Sequence, residues 1–155
     1  MPVSFRRISI AVAAVAGQWL ILGRLSIYGS TPDFVLLFLA WYALQTNRRA
    51  GAVMGFGLGA ALDIIYGTWG THMFVKTLLG FLLGSFAIDD RQALLIQPYQ
   101  AFLGSLVLAL LHNGLLITFL ALQTSATNHF LIASLWFGSA VYTAFVGTLA
   151  AVLRS

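Results

Sequence analysis

No Asp, Glu, Lys or Arg occurs between Gln92 and Leu153. A charge-free run of that length is too long for one membrane-spanning helix, which needs about 20 mainly apolar residues. It therefore holds two, divided by the polar segment Gln123-Thr-Ser-Ala-Thr-Asn-His129. The rest of the chain reads the same way. Of its 155 residues, 60% are hydrophobic and 8% charged, and the mean hydropathy is +0.93. Soluble domains are about a quarter charged, so the chain reads as an integral membrane protein with no room for a separate soluble domain. There is no cysteine, which excludes disulfides, thiol catalysis and thiolate metal sites.

Six spans are predicted, over residues 8–23, 31–47, 50–66, 72–88, 99–122 and 130–153. The fold class is an all-α membrane protein, a compact six-helix bundle in one domain. Pro32 suits the first turn of the second span, where its missing N–H costs nothing. With both termini inside, Arg6, Arg7, Arg48, Arg49, Arg91 and Arg154 fall on the cytoplasmic side and only Arg24 outside, a positive-inside bias. Trp19, Trp69 and Trp136 fall toward the outer interface. Arg6 and Arg7 before an apolar run could also suggest a signal sequence, but more membrane sequence follows, so an uncleaved first span is the simpler account. The basic residues are dispersed and read as topology signals, so no nucleic-acid partner is expected despite a pI near 10.0.

Within the third and fourth spans lie two rows of residues spaced by four, first Gly51, Gly55, Gly59, Asp63 and Gly67, then His72, Lys76, Gly80 and Gly84. Residues four apart share a helix face, and small residues on such a face let helix backbones approach closely in lipid. A hairpin about the turn Gly67-Thr-Trp-Gly70-Thr71 predicts that residues equidistant from the turn meet: Asp63 with Lys76, Gly59 with Gly80, Gly55 with Gly84. Pairing would neutralise two intramembrane charges that cost about 2.5–3.5 kcal/mol each when alone at the bilayer centre. The alternative has both charges separately hydrated near the outer surface.

The remaining polar groups carry less. Gln18, His112 and Asn113 lie inside spans, where interhelical hydrogen bonding is the plain reading and a solute site or proton relay the functional one. Asp89-Asp90-Arg91 reads as a solvated loop. The histidines are not at metal-ligand spacing, and no cofactor or metal is expected. Gly55-Phe56-Gly57-Leu58-Gly59 follows no strand and is no nucleotide loop. The four acidic residues are scattered and no serine has a plausible His/Asp partner, so no enzyme is expected.

Pro32-Asp33-Phe34-Val35-Leu36-Leu37 resembles the Pro-Asp-Leu-Leu opening of the second span in the MreD family of rod shape-determining membrane proteins. The segment carrying Gly55, Phe56, Gly59, Asp63, Gly67 and Gly70 resembles that family's signature, with Ala60 where the family more often has Leu. The match covers roughly residues 31–85. The resemblance implies a multi-pass protein of the bacterial inner membrane, a scaffold or regulator of peptidoglycan synthesis in the cell-elongation machinery. It further implies binding to MreC, and through it to the MreB filament system and to RodA with its partner transpeptidase. A homodimer is compatible with the glycine stripes. The family also resembles in fold the substrate-binding S components of energy-coupling-factor transporters. That rival function predicts a polar cluster near the outer surface, from Asp63, Trp69, His72, His112 and Asn113.

Overall fold

The computed structural model describes residues 2–20, 31–87, 97–123 and 132–153. Among these the chain is all helical. The helices are α1 (Pro2–Leu20), α2 (Phe34–Leu44), α3 (Arg48–Tyr66), α4 (Thr71–Gly84), α5 (Pro98–Gln123) and α6 (Ser139–Val152), the last entered through a π-helical turn, Ser134–Gly138. Arg24, Asp89, Asp90, Arg91 and Arg154, the end of the first expected span at Ile21–Gly23, and Thr124–His129 of the dividing segment lie outside the described residues.

The surface is inverted relative to a soluble protein. Val53, Ile64 and Phe145 are 73%, 79% and 61% exposed, whereas Lys76 is wholly buried. In lipid such a surface is solvated and a buried polar group must find its partners inside. Arg48–Tyr66 and Pro98–Phe119 are long and apolar enough to cross a membrane; Phe34–Leu44, Thr71–Gly84 and Trp136–Val152 are shorter apolar helices.

Helix α2 is apolar on every side, the pattern of a helix surrounded by others, and it sits at the centre. Val35, Phe38 and Leu39 pack against Ala11 and Ala14 of α1 and Leu58 and Leu62 of α3. Leu36, on another face, packs with Val75 and Leu79 of α4, Leu108 and Ala109 of α5, and Ala140 of α6. Its N-cap is Asp33, whose Oδ1 accepts the Leu36 N–H at 2.7 Å. Pro32 thus stands just before the cap, outside the helix where the sequence placed it.

Helices α3 and α4 form the closest-packed pair, and the glycines set their separation. A β-carbon on Gly51 would strike the carbonyl of Gly80, and one on Gly80 the carbonyl of Gly51. One on Gly55 would strike the carbonyl of Lys76, one on Gly59 the backbone of His72 and Met73, and one on Gly84 the backbone of Asn47 and Arg48. Both rows therefore face each other, but the register differs from the equidistant one: Gly51, not Gly59, meets Gly80, and Gly55 lies beside Lys76 rather than Gly84.

The cause lies at the turn. Gly67 and Gly70 both have positive φ, 68° and 86°, a conformation that glycine adopts without steric penalty. Gly67 ends α3 with its N–H on the Asp63 carbonyl. Helix α4 then starts at Gly70 without a capping side chain of its own. The Asp63 carboxylate supplies the cap from the neighbouring helix, accepting the His72 N–H at 3.0 Å and the Met73 N–H at 2.9 Å. The first turn of α4 is thereby drawn alongside α3, so the chain doubles back before α4 begins. Lys76 ends level with Gly55, eight positions from Asp63, or about 12 Å along the axis at ~1.5 Å per residue.

Candidate functional site

The most buried charge among the described residues is Lys76. Its Nζ donates to Asp33 Oδ2 at 2.7 Å and lies 3.1 Å from His112 Nε2. Asp33, not Asp63, is its counter-ion, and His112 Nε2 also lies 3.6 Å from the same carboxylate oxygen. An ammonium group only donates, so His112 Nε2 accepts and the proton of the neutral imidazole sits on Nδ1. That nitrogen donates to Asn113 Oδ1 at 3.2 Å, and Asn113 Nδ2 donates to the Trp136 carbonyl at 3.2 Å. The chain of donors runs one way, from Lys76 through His112 and Asn113 to the π-helical turn before α6. Trp136 returns a bond of its own, Nε1 to the Leu110 carbonyl at 3.1 Å.

Asp33 sits in a short non-helical segment that the bundle holds from several sides. Ser139 Oγ donates to the Thr31 carbonyl at 2.6 Å. Gln18 Nε2 donates to the Pro32 carbonyl and Gln18 Oε1 accepts the Phe34 N–H, both at 2.8 Å. The Asp33 N–H donates to Thr143 Oγ1 at 2.9 Å, and that hydroxyl donates to the Ser139 carbonyl at 2.8 Å. Irregular backbone at membrane depth is tolerated only where protein or a water-filled cavity satisfies it. Here α1, α2 and α6 satisfy the backbone, while Lys76 of α4 neutralises the carboxylate.

A second polar centre forms at the α3–α4 turn. Asp63 takes the two α4 N–H groups and the Thr68 hydroxyl at 2.8 Å. A carboxylate at a helix N-terminus is stabilised by the helix dipole and by capping. Among the described residues Asp63 has no cationic side-chain partner. The His72 ring stands 5.8 Å from the Tyr66 ring, and Trp69 is 89% exposed. The five residues expected to converge on one outer cluster are thus divided: His112 and Asn113 join Lys76, His72 stays with Asp63, and Trp69 points out of the bundle. Phe56 is also exposed, on the face of α3 away from the glycine row. Because Asp63 and Lys76 share no partner, Asp63→Asn and Lys76→Met should be additive in stability within about 0.5 kcal/mol. Both Asp63 oxygens accept an α4 N–H, so Asp63→Asn sets an amide NH2 against one of them and should cost about 1–3 kcal/mol alone. Unfolding of the two single variants and the double variant in mixed detergent micelles checks this, and strong coupling would restore the direct pair.

Ser139 and Thr143 are residues that the sequence did not single out, and Asp33 stood out only in the opening of the second span, not as the partner of Lys76. One signal was available. A buried lysine requires a carboxylate, and with Asp89 and Asp90 assigned to a loop only Asp33 and Asp63 remained. Nearness in sequence favoured the wrong one.

The centre is buried except at Asp33, whose side chain is 15% exposed. Lys76 and His112 are 0% and 1% exposed, and each polar group in it is bonded to another. Two largely apolar grooves open on the described surface, and neither is lined by Asp33, Lys76, His112 or Asn113. Among the described residues no group of three or more His, Cys, Asp or Glu is placed to hold a metal ion.

Inverted surface and internal ionic centre together define a helical membrane protein whose intramembrane charges tie its helices to one another. Its family follows from the sequence as a whole. The description "rod shape-determining protein MreD" matches residues 3–155, and the chain belongs to the MreD family, with a role in cell shape. No curated protein and no solved structure gives a significant match.

Proposed function

We propose that this protein is a non-enzymatic, multi-pass scaffold or regulator in the bacterial inner membrane. It binds MreC within the cell-elongation machinery, and through MreC it acts on peptidoglycan synthesis by RodA and its partner transpeptidase, alongside the MreB system. The observation that carries this reading is the burial and mutual bonding of the ionic centre. Asp33, Lys76, His112 and Asn113 bond to one another and to backbone groups. A buried network of this kind ties the helices into one arrangement. Lys76 and His112 lie at its heart, out of reach of a solute, whereas a transporter component needs such groups open to its ligand. What the molecule offers to the outside is shape and apolar surface, the means by which membrane helices recognise one another.

The test is purification of the tagged protein from native membranes in mild detergent, with co-purifying proteins identified by mass spectrometry. MreC, with or without the wall synthases, is the expected companion. Recovery of a transporter transmembrane subunit with its ATPases, or of no cell-elongation protein at all, would overturn the reading.

A further inference from the structure

Helices α1 and α3 diverge along part of their length and leave an open groove of about 1020 Å³. Ile8, Val12 and Trp19 form one wall, and Val53, Gly57 and Ala61 the other. Val12 and Val53 are 63% and 73% exposed, and a β-carbon on Gly57 would meet nothing within 4 Å. This glycine faces away from the α4 contact that accounts for Gly51, Gly55 and Gly59.

Three properties specify the occupant. The first is length. The α3 wall runs from Ala50 to Ile65, about 22 Å at ~1.5 Å per residue. One leaflet accounts for only half of a hydrocarbon core about 30 Å thick, so the chains of a single phospholipid leave about a third of the groove's length open, whereas a spanning helix runs its full length. The second is shape. Val53, Gly57 and Ala61 are four apart, and a floor of small residues admits a helix backbone closely. The third is charge. The end at which α3 begins is bordered by Arg49 and by Tyr42, whose ring lies 5.5 Å from the Arg7 guanidinium. No Asp or Glu lines the groove, and both acids among the described residues are engaged elsewhere, Asp33 by Lys76 and Asp63 by the start of α4.

We propose that the groove between α1 and α3 receives one membrane-spanning helix of a partner protein. That helix carries a small residue opposite Gly57 and a carboxylate, at the end of its apolar stretch, within reach of Arg49. The proposal rests on the scaffold reading and adds the surface by which the partner is held.

The chain has no cysteine, so single cysteines at Val53, Gly57 and Ala61 can carry a benzophenone label in membranes that also contain MreC. Val107 and Phe145, exposed on α5 and α6, give the control positions. Adducts with MreC are expected from the three groove positions and not from the controls. Gly57→Leu should reduce the Val53 adduct at least tenfold without altering the thermal unfolding of the protein, and Arg49→Glu should reduce it several-fold. MreC adducts confined to Val107 or Phe145 would overturn the groove assignment while leaving the scaffold reading intact. Groove adducts with a second copy of this chain, or with phospholipid alone, would also overturn it. The absence of MreC adducts at every position would overturn both the groove assignment and the scaffold reading.

Discussion

Lys76→Met should be among the most damaging single substitutions in this protein, lowering stability by about 3–5 kcal/mol. Methionine fills most of the space, so the loss is not chiefly one of packing. It comes from Asp33, which keeps its carboxylate beside the buried His112 ring but loses the ammonium 2.7 Å away. Removing one member of a buried ion pair leaves an uncompensated charge, which costs more than removing both. Asp33→Asn retains an acceptor for the Leu36 N–H, since asparagine caps helices about as well as aspartate. Combined with Lys76→Met it replaces the ion pair with neutral groups. The double variant should therefore be more stable than the sum of the single effects by about 0.5–3 kcal/mol. Unfolding in mixed micelles gives the cycle directly, and strictly additive effects would remove the ion pair from the account.

Two glycines separated by a single residue should respond in opposite directions to the same change. Gly55→Ala places a methyl group against the Lys76 carbonyl. That atom belongs to a helix backbone held by its own hydrogen bonds, so α3 and α4 must separate, at about 1–3 kcal/mol or more. The same separation shifts the backbone from which Lys76 reaches Asp33. Gly57→Ala meets open space and should be neutral or stabilising by up to about 1 kcal/mol, since alanine is the better helix former. Thermal unfolding of the two variants in one detergent makes the comparison. Equal losses at both positions would mean that backbone approach between α3 and α4 does not control stability.

These contrasts mark where the sequence is legible. The spacing of Gly51, Gly55, Gly59, Gly80 and Gly84 identifies the contact faces of α3 and α4, because which residues share a face follows from helical geometry alone. The register of that contact was not legible. Counting outward from Gly67–Thr71 treats the turn as a symmetric hinge. In the fold, Asp63 caps the helix that follows it and draws its first turn back along α3. An aspartate four residues before a glycine gives no sign of which N–H groups it will accept from the far side of a turn.

Composition and periodicity by themselves determined that this protein is an all-helical membrane protein and that glycines bring its third and fourth helices together; whether Lys76 meets a carboxylate they left open. Those properties depend on transfer free energies and on the helical repeat, both local to the chain. Only the tertiary structure decided that the carboxylate is Asp33, 43 positions away, and that Gln18, Ser139 and Thr143 support the segment bearing it. Burying a charge requires several distant groups to be satisfied at once, and their choice is made by how the helices pack.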